Sequence, residues 1–196
     1  MKLIFIRHGQ GVHNTNVPDR LNVVNPRLTD KGKEQVRALK GIFNFTIHDI
    51  FIVSPTLRTI ETANLLTEHL NEPRKFVHPV VGPRMFPMPE DPLTMHVRCD
   101  DVYPLEKIER EHPDFTIQNK ADTSLWHTGV NTMPDAQFRN YAGDLFAWIK
   151  SLGAVRVFII AHDGTITNLR SFLGEIGLSR ADFLGEAGWI KTEVQQ

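Results

Sequence analysis

The chain has 196 residues, 41% of them apolar and 23% charged, with a formal net charge of −1. These values fit a globular domain with a core of its own and indicate neither a disordered chain nor a membrane protein. No run of Lys and Arg is long enough to neutralise a row of phosphates, so neither a nucleic acid nor a membrane is expected as partner. One domain spanning residues 1–196 is expected. The single cysteine, Cys99, allows no internal disulfide, and the first residues lack a secretory apolar segment before Arg7, so a reduced, cytoplasmic location is expected. Asp100 and Asp101 follow Cys99, and their charge opposes a reactive thiolate.

Residues 3–14 read LIFIRHGQGVHN, an apolar β-type run that stops at Arg7-His8-Gly9. Open α/β sheets keep their ligand crevices at the carboxyl ends of strands, so His8 is a candidate nucleophile and Arg7 a candidate anion fork. Gly9 and Gly11 let the backbone turn and approach a ligand, and Asn14 can add a neutral donor. Residues 12–26 form a loop, long enough to wall a site.

Thr29 is an N-cap for a first helix running to about Phe43. Residues 49–53 are a second buried strand ending at Ser54-Pro55, and residues 56–70 a helix with an apolar stripe. Arg58 falls in that helix's first turn, where the dipole disfavours a cation unless an anion is bound nearby. Residues 76–81 read as a third strand. Pro83, Pro87, Pro89 and Pro92 make residues 82–101 an irregular loop that could cover a site. A helix is expected over 104–112, no element over 114–130, and a long helix over 135–152.

Residues 155–161 are the strongest strand signal and run into His162-Asp163-Gly164, repeating the strand–histidine–glycine pattern of the N-terminus; a helix follows over 165–173. A turn of helix after Ser179 and a strand over 189–194 close the chain. Strands alternating with helices indicate a layered α/β fold with a largely parallel sheet. Three strand ends then deliver Arg7 and His8, Arg58, and His162 to one edge, an anion pocket. A metal is the competing use of nine histidines, but His8 and His13 lie five apart, which is no recognised ligand spacing, and no Cys or carboxylate cluster accompanies them.

These residues resemble the histidine phosphatase, or phosphoglycerate mutase-like, superfamily. The resemblance rests on Arg7-His8-Gly9-Gln10 with Gly11, His13 and Asn14; on Asn25-Pro26-Arg27-Leu28-Thr29 with Gly32 and Gln35; on Ser54-Pro55-Thr56-Leu57-Arg58-Thr59 with Thr62-Ala63; and on Ala161-His162-Asp163-Gly164, in the family's order and at about its spacing. It implies a three-layer sandwich with a mostly parallel central sheet flanked by helices. It further implies that His8 becomes phosphorylated, that Arg7, Asn14, Arg58 and His162 hold the phosphoryl group, and that no metal or other cofactor is needed. Gln10, Gly11, Asp163 and Gly164 are expected beside the substrate, a small anionic molecule. Monomer and homo-oligomer are both compatible with it.

The chain departs from the family pattern twice. Where the family has a carboxylate after the third strand, residues 80–86 contain no acid, so Asp100, Asp101 and Glu90 become the candidate general acids, with Asp91 also within reach in sequence. Asp100 and Asp101 are favoured because they end the loop and precede a helix. At the start of the long helix, Asp135 stands where many members carry Gly-Glu-Ser. An acidic-alcohol ester or a diphosphate, which needs little protonation on leaving, would suit such a site. The leading reading is a phosphatase of a small phosphorylated metabolite. The competing readings are a lyase, isomerase or cyclase acting on a carboxylated metabolite, and a non-catalytic anion-binding or scaffold protein; a mutase is disfavoured by the short chain.

Overall fold

The computed structural model describes residues 1–91 and 97–194. Its centre is a six-stranded sheet built from β1 (Lys2–Arg7), β2 (Ile50–Val53), β3 (Arg74–Val77), β4 (Thr116–Ile117), β5 (Arg156–Ala161) and β6 (Trp189–Glu193), in the order β4-β3-β2-β5-β1-β6. All neighbours are parallel except β6, which runs antiparallel to β1 at the edge. The helices are α1 (Asp30–Ala38), α2 (Leu57–Thr67), α3 (Leu105–Glu111), α4 (Thr123–Thr128), α5 (Asp135–Ser151) and α6 (Asp163–Phe172).

The apolar runs of β1, β2 and β5 are buried on both faces because side chains alternate across a strand. Ile4, Ile6, Phe51, Val53, Phe158 and Ile160 point to one side and pack with Val36 of α1, Ile60 and Leu66 of α2 and Ile108 of α3. Leu3, Phe5, Ile50, Ile52, Val157 and Ile159 point to the other and pack with Phe138, Leu145 and Ile149 of α5 and Ile166 and Leu169 of α6. The result is the expected three-layer α/β sandwich. No helix among the described residues is long and apolar enough to cross a membrane.

Several boundaries differ from the sequence reading for local reasons. The first helix is capped by Thr29, whose Oγ1 accepts the Gly32 N–H at 3.0 Å, but it gives way after Ala38 to a tighter turn over Leu39–Gly41. The third strand starts earlier, at Arg74, and stops at Val77. Lys75 is tolerated there because its ammonium is paired with Asp114 and Asn64. Beyond Val77 a 3-10 turn, Pro79–Val81, is capped by the His78 ring, which accepts the Val80 N–H at 3.2 Å, and Pro79 has no N–H for a ladder. Between residues 114 and 130 two elements escape the sequence reading, the two-residue β4 and the six-residue α4, both too short to show a period. The last helix begins at Asp163 rather than Thr165, with an acid in its first turn. The expected loop over 82–101 has no regular element in its described part other than a 3-10 turn, Arg98–Asp100; residues 92–96 lie outside the described residues.

One close approach fixes how this loop meets α6. A Cβ on Gly164 would lie 2.1 Å from the Arg84 carbonyl oxygen, a backbone atom that can yield only if the segment moves. Gly164→Ala is expected to cost about 1–3 kcal/mol as an overpacking substitution, read as a lower urea midpoint with an unchanged m-value.

Candidate active site

The carboxyl ends of β1, β5 and β2 are in step: Arg7 pairs with Ala161, and Val53 with Ile160. The strands' continuations stay tied by backbone hydrogen bonds, His8 N–H to Ala161 O at 3.1 Å and Ser54 N–H to Ile160 O at 3.0 Å. His8, Ser54 and His162 therefore emerge side by side, and the His8 and His162 ring centroids are 5.1 Å apart.

Arg58, the second residue of α2, is 1% exposed and organises the group. Its Nε donates to His8 Nε2 at 3.2 Å, its Nη1 to the Cys99 carbonyl at 2.7 Å, and its Nη2 to Asp100 Oδ1 and His162 Nδ1, each at 3.2 Å. The His8 Nδ1 lies 2.7 Å from the Gly9 carbonyl, which can only accept, so Nδ1 carries the proton and Nε2 keeps its lone pair. By the same reasoning His162 accepts from Arg58 at Nδ1 and donates from Nε2 to Ser54 Oγ at 2.7 Å. Arg7 is held by Asp163 at 2.9 Å and by the Leu184 carbonyl at 2.6 Å.

Burial, and next the positive charge of Arg58, hold the imidazoles of His8 and His162 well below the ordinary 6.5. The same two causes bring His13 down to about 3, and burial brings His78 to about 4. His8 Nε2 is thus unprotonated across the physiological range. Asp100 moves the opposite way: burial raises its carboxyl above the ordinary value, against the pull of Arg58. Arg58 thus links a neutral imidazole to a carboxyl whose proton affinity burial has raised.

The lowered histidines also set the acid limit of the fold. An unfolded chain takes up protons at these rings near pH 6.5 while the folded protein does not, so stability falls as pH drops below about 6.5. Each buried ring contributes at most about 1.4 kcal/mol per pH unit, until the pH reaches its folded value. Asp100 acts with the opposite sign, its contribution being lost as pH rises through its raised value, but it is one group against four. Urea midpoints are expected to fall steeply from pH 6.5 to 4; a flat profile would show that these rings are not held neutral.

Other sequence candidates occupy distinct places. Asn14 Oδ1 accepts the Gly11 N–H at 3.1 Å, and its Nδ2 has no partner among the described residues. Asp163 is turned to Arg7 and also caps the Gly164 N–H at 2.7 Å. Gln10 is committed to structure: its Oε1 accepts from Thr29 Oγ1 at 2.9 Å and its Nε2 donates to Glu186 at 3.3 Å. Among the candidate acids, Asp100 reaches Arg58, Glu90 is exposed, and Asp101 is half-buried one residue beyond the site. Cys99 is buried and its thiol is pushed up to about 12, first by burial and then by Asp100, which leaves it inert. Among the described residues no group of three or more His, Cys, Asp or Glu is placed to hold a metal ion.

Sequence reasoning gave no role to Ser54, Asn131 or Arg84. Ser54 orients His162, and Asn131 Nδ2 donates to Asp100 Oδ2 at 3.4 Å. Arg84 stands in the stretch where a family acid was expected. Its guanidinium is buried and turned to the Val130 and Met133 carbonyls at 2.8 and 2.6 Å and to Asp135 at 2.5 Å. The two departures from the family pattern are thus one structural unit, an ion pair that ties the segment after β3 to the start of α5.

The α/β sandwich thus gathers two arginines, two histidines and an acid at the carboxyl edge of its sheet. Residues 3–79 match the family described as Histidine phosphatase superfamily (branch 1), which bears out the resemblance seen in the motifs. No curated protein matches by sequence. Among solved structures, the chain is similar to the ecdysone phosphate phosphatase from Bombix mori, in complex with tungstate (TM-score 0.63, 15% identity, covering 98% of this chain and 89% of that one). It is also similar to the alpha-ribazole phosphatase from Shigella flexneri (TM-score 0.59, 18% identity, covering 100% and 92%) and to the mycobacterial glucosyl-3-phosphoglycerate phosphatase complexed with VO3 (TM-score 0.53, 18% identity, covering 97% and 91%). At these identities the likeness is one of fold.

Proposed function

We propose that the chain is a phosphatase of a small phosphorylated metabolite that works through a phosphohistidine intermediate on His8. The observation that carries this reading is the His8 geometry, with Nδ1 fixed on the Gly9 carbonyl and the unprotonated Nε2 accepting from Arg58, a donor that an incoming phosphoryl group can draw to itself. The His8 Nε2 lone pair attacks phosphorus, the ester P–O bond breaks, and the leaving oxygen takes the proton of Asp100. Water then attacks the phosphohistidine, gives its proton to the Asp100 carboxylate, and inorganic phosphate leaves. Arg7, Arg58 and His162 face the developing charge on the phosphoryl oxygens, with Asn14 as a neutral donor.

Arg58 is paired with Asp100 and Arg7 with Asp163. An incoming phosphoryl dianion competes with both carboxylates for the guanidiniums, and its charge raises the proton affinity of Asp100 further. Substrate binding thereby loads the acid that the next step uses. The reading needs no metal, and its names for reaction and substrate class accord with the phosphatases that share the fold.

The test is hydrolysis of a panel of phosphomonoesters, with rapid-quench trapping of radiolabelled phosphoenzyme. Wild type is expected to turn over at least one monoester at the same rate with and without EDTA and to accumulate acid-labile, alkali-stable label, while His8→Ala takes up none. Tight phosphate binding without any hydrolysis would instead make the protein a non-catalytic anion binder.

A further inference from the structure

Next to the arginine and histidine cluster lies a cavity of about 270 Å³. Its polar end is formed by Asp100, Asp163 and Asn131, and its outer walls by Met85, Phe86 and Phe183. Asp100 and Asp163 are the carboxylates that pair with Arg58 and Arg7, so the cavity opens from the place where the leaving oxygen must pick up its proton. It is the space available to the alcohol half of the ester.

Three observations define what fits there. The Phe86 and Phe183 rings stand 6.3 Å apart at 53°, and Phe183 is also approached by the Arg180 guanidinium at 5.6 Å, itself a planar stacking surface. Arg84 also lines the cavity, but its guanidinium is committed to Val130, Met133 and Asp135. A leaving group bearing several carboxylates would therefore meet apolar walls and only the exposed Arg180. Third, Asn131 is 8% exposed and its Oδ1 is buried without a hydrogen-bond partner, while its Nδ2 is engaged by Asp100. A buried acceptor left unpaired is costly, and a hydroxyl or amine on the ligand would satisfy it.

Building on the phosphatase reading, we infer that the substrate is a phosphomonoester whose alcohol carries a flat apolar group, packed against the wall that Phe86 and Phe183 form together, and a hydrogen-bond donor directed at Asn131. Phosphorylated sugars and glycerates, polar on every face, are disfavoured by the same walls.

The inference is tested by binding, so that it does not depend on turnover or on leaving-group reactivity. Calorimetry is carried out on the intact protein with ethylphosphonate, 2-phenylethylphosphonate and 2-hydroxy-2-phenylethylphosphonate. The phenyl compound is expected to bind at least about tenfold more tightly than the ethyl compound, in line with burial of an aromatic ring. Phe183→Ala should remove most of that difference while leaving ethylphosphonate affinity unchanged, and Asn131→Leu should remove the added affinity of the hydroxyl. Equal affinities for the ethyl and phenyl compounds, or a phenyl preference untouched by Phe183→Ala, would overturn the assignment. If the phenyl preference holds but no monoester is hydrolysed, the pocket stands and the phosphatase reading fails; hydrolysis without a phenyl preference has the reverse meaning.

Discussion

Replacing Arg58 by alanine is expected to lower kcat/KM for phosphomonoester hydrolysis by about 10³ to 10⁵, the range over which a single arginine facing a transferring phosphoryl group acts. The size follows from its position. Arg58 is almost fully buried, touches both histidines and Asp100, and is anchored to the Cys99 carbonyl, so its charge sits at a fixed point close to His8 Nε2. A cation in such a preorganised, poorly solvated place stabilises developing charge with no rearrangement at the moment of reaction. Arg58→Lys is the control. Lysine keeps the charge but not the planar fork, so it cannot reach His8, His162, Asp100 and the carbonyl together, and it should recover only a small part of the lost rate. Thermal unfolding of each variant separates a damaged fold from a damaged site. A ten-fold loss or less in a folded Arg58→Ala protein would place the phosphoryl group elsewhere.

Asp100→Asn should lower kcat by about 10² to 10⁴ on alkyl phosphomonoesters, the usual worth of a positioned general acid, and by far less on p-nitrophenyl phosphate, whose phenolate leaves without a proton. Asparagine keeps the size and removes both the proton and the charge. Because Asp100 competes with the incoming dianion for Arg58, the variant should also bind inorganic phosphate at least as tightly as wild type. The wild-type rate on alkyl esters should decline as pH rises through the raised Asp100 value, and this basic limb should vanish in the variant. An equal loss on both kinds of ester would show that Asp100 positions Arg58 and donates no proton.

The proposed acid illustrates where sequence information ran out. The stretch where the family acid was expected holds Arg84 and no carboxylate, and spacing along the chain separated Glu90, Asp91, Asp100 and Asp101 only weakly. What separates Asp100 from the others is the 3-10 turn over Arg98–Asp100, which presents the Cys99 carbonyl and the Asp100 carboxylate together to the Arg58 guanidinium. Such a turn has no period to detect. The pairing of Arg84 with Asp135 was invisible for a similar reason, since the two are 51 residues apart and each looks alone like an ordinary surface charge. Gln10 went the other way. It stands inside the motif, yet contacts with Thr29 and Glu186 use both ends of its side chain.

The sequence alone determined the order of strands and helices, the parallel sheet, and the identities of His8, Arg58 and His162 as strand-end and helix-start groups. Those features are local: apolar runs of fixed length, caps, and polar residues where the runs stop. Only the tertiary structure decided that β5 lies between β1 and β2, which sets His162 beside His8, and that Asp100 and Asn131 close the site over an apolar cavity. These depend on contacts between distant segments, whose closure is governed by packing of the two faces of the sheet rather than by any pattern within a segment. The histidine at the end of β1 was legible from its neighbours in sequence; its tautomer, its charge and the carboxyl that shares Arg58 with it are properties of the folded chain.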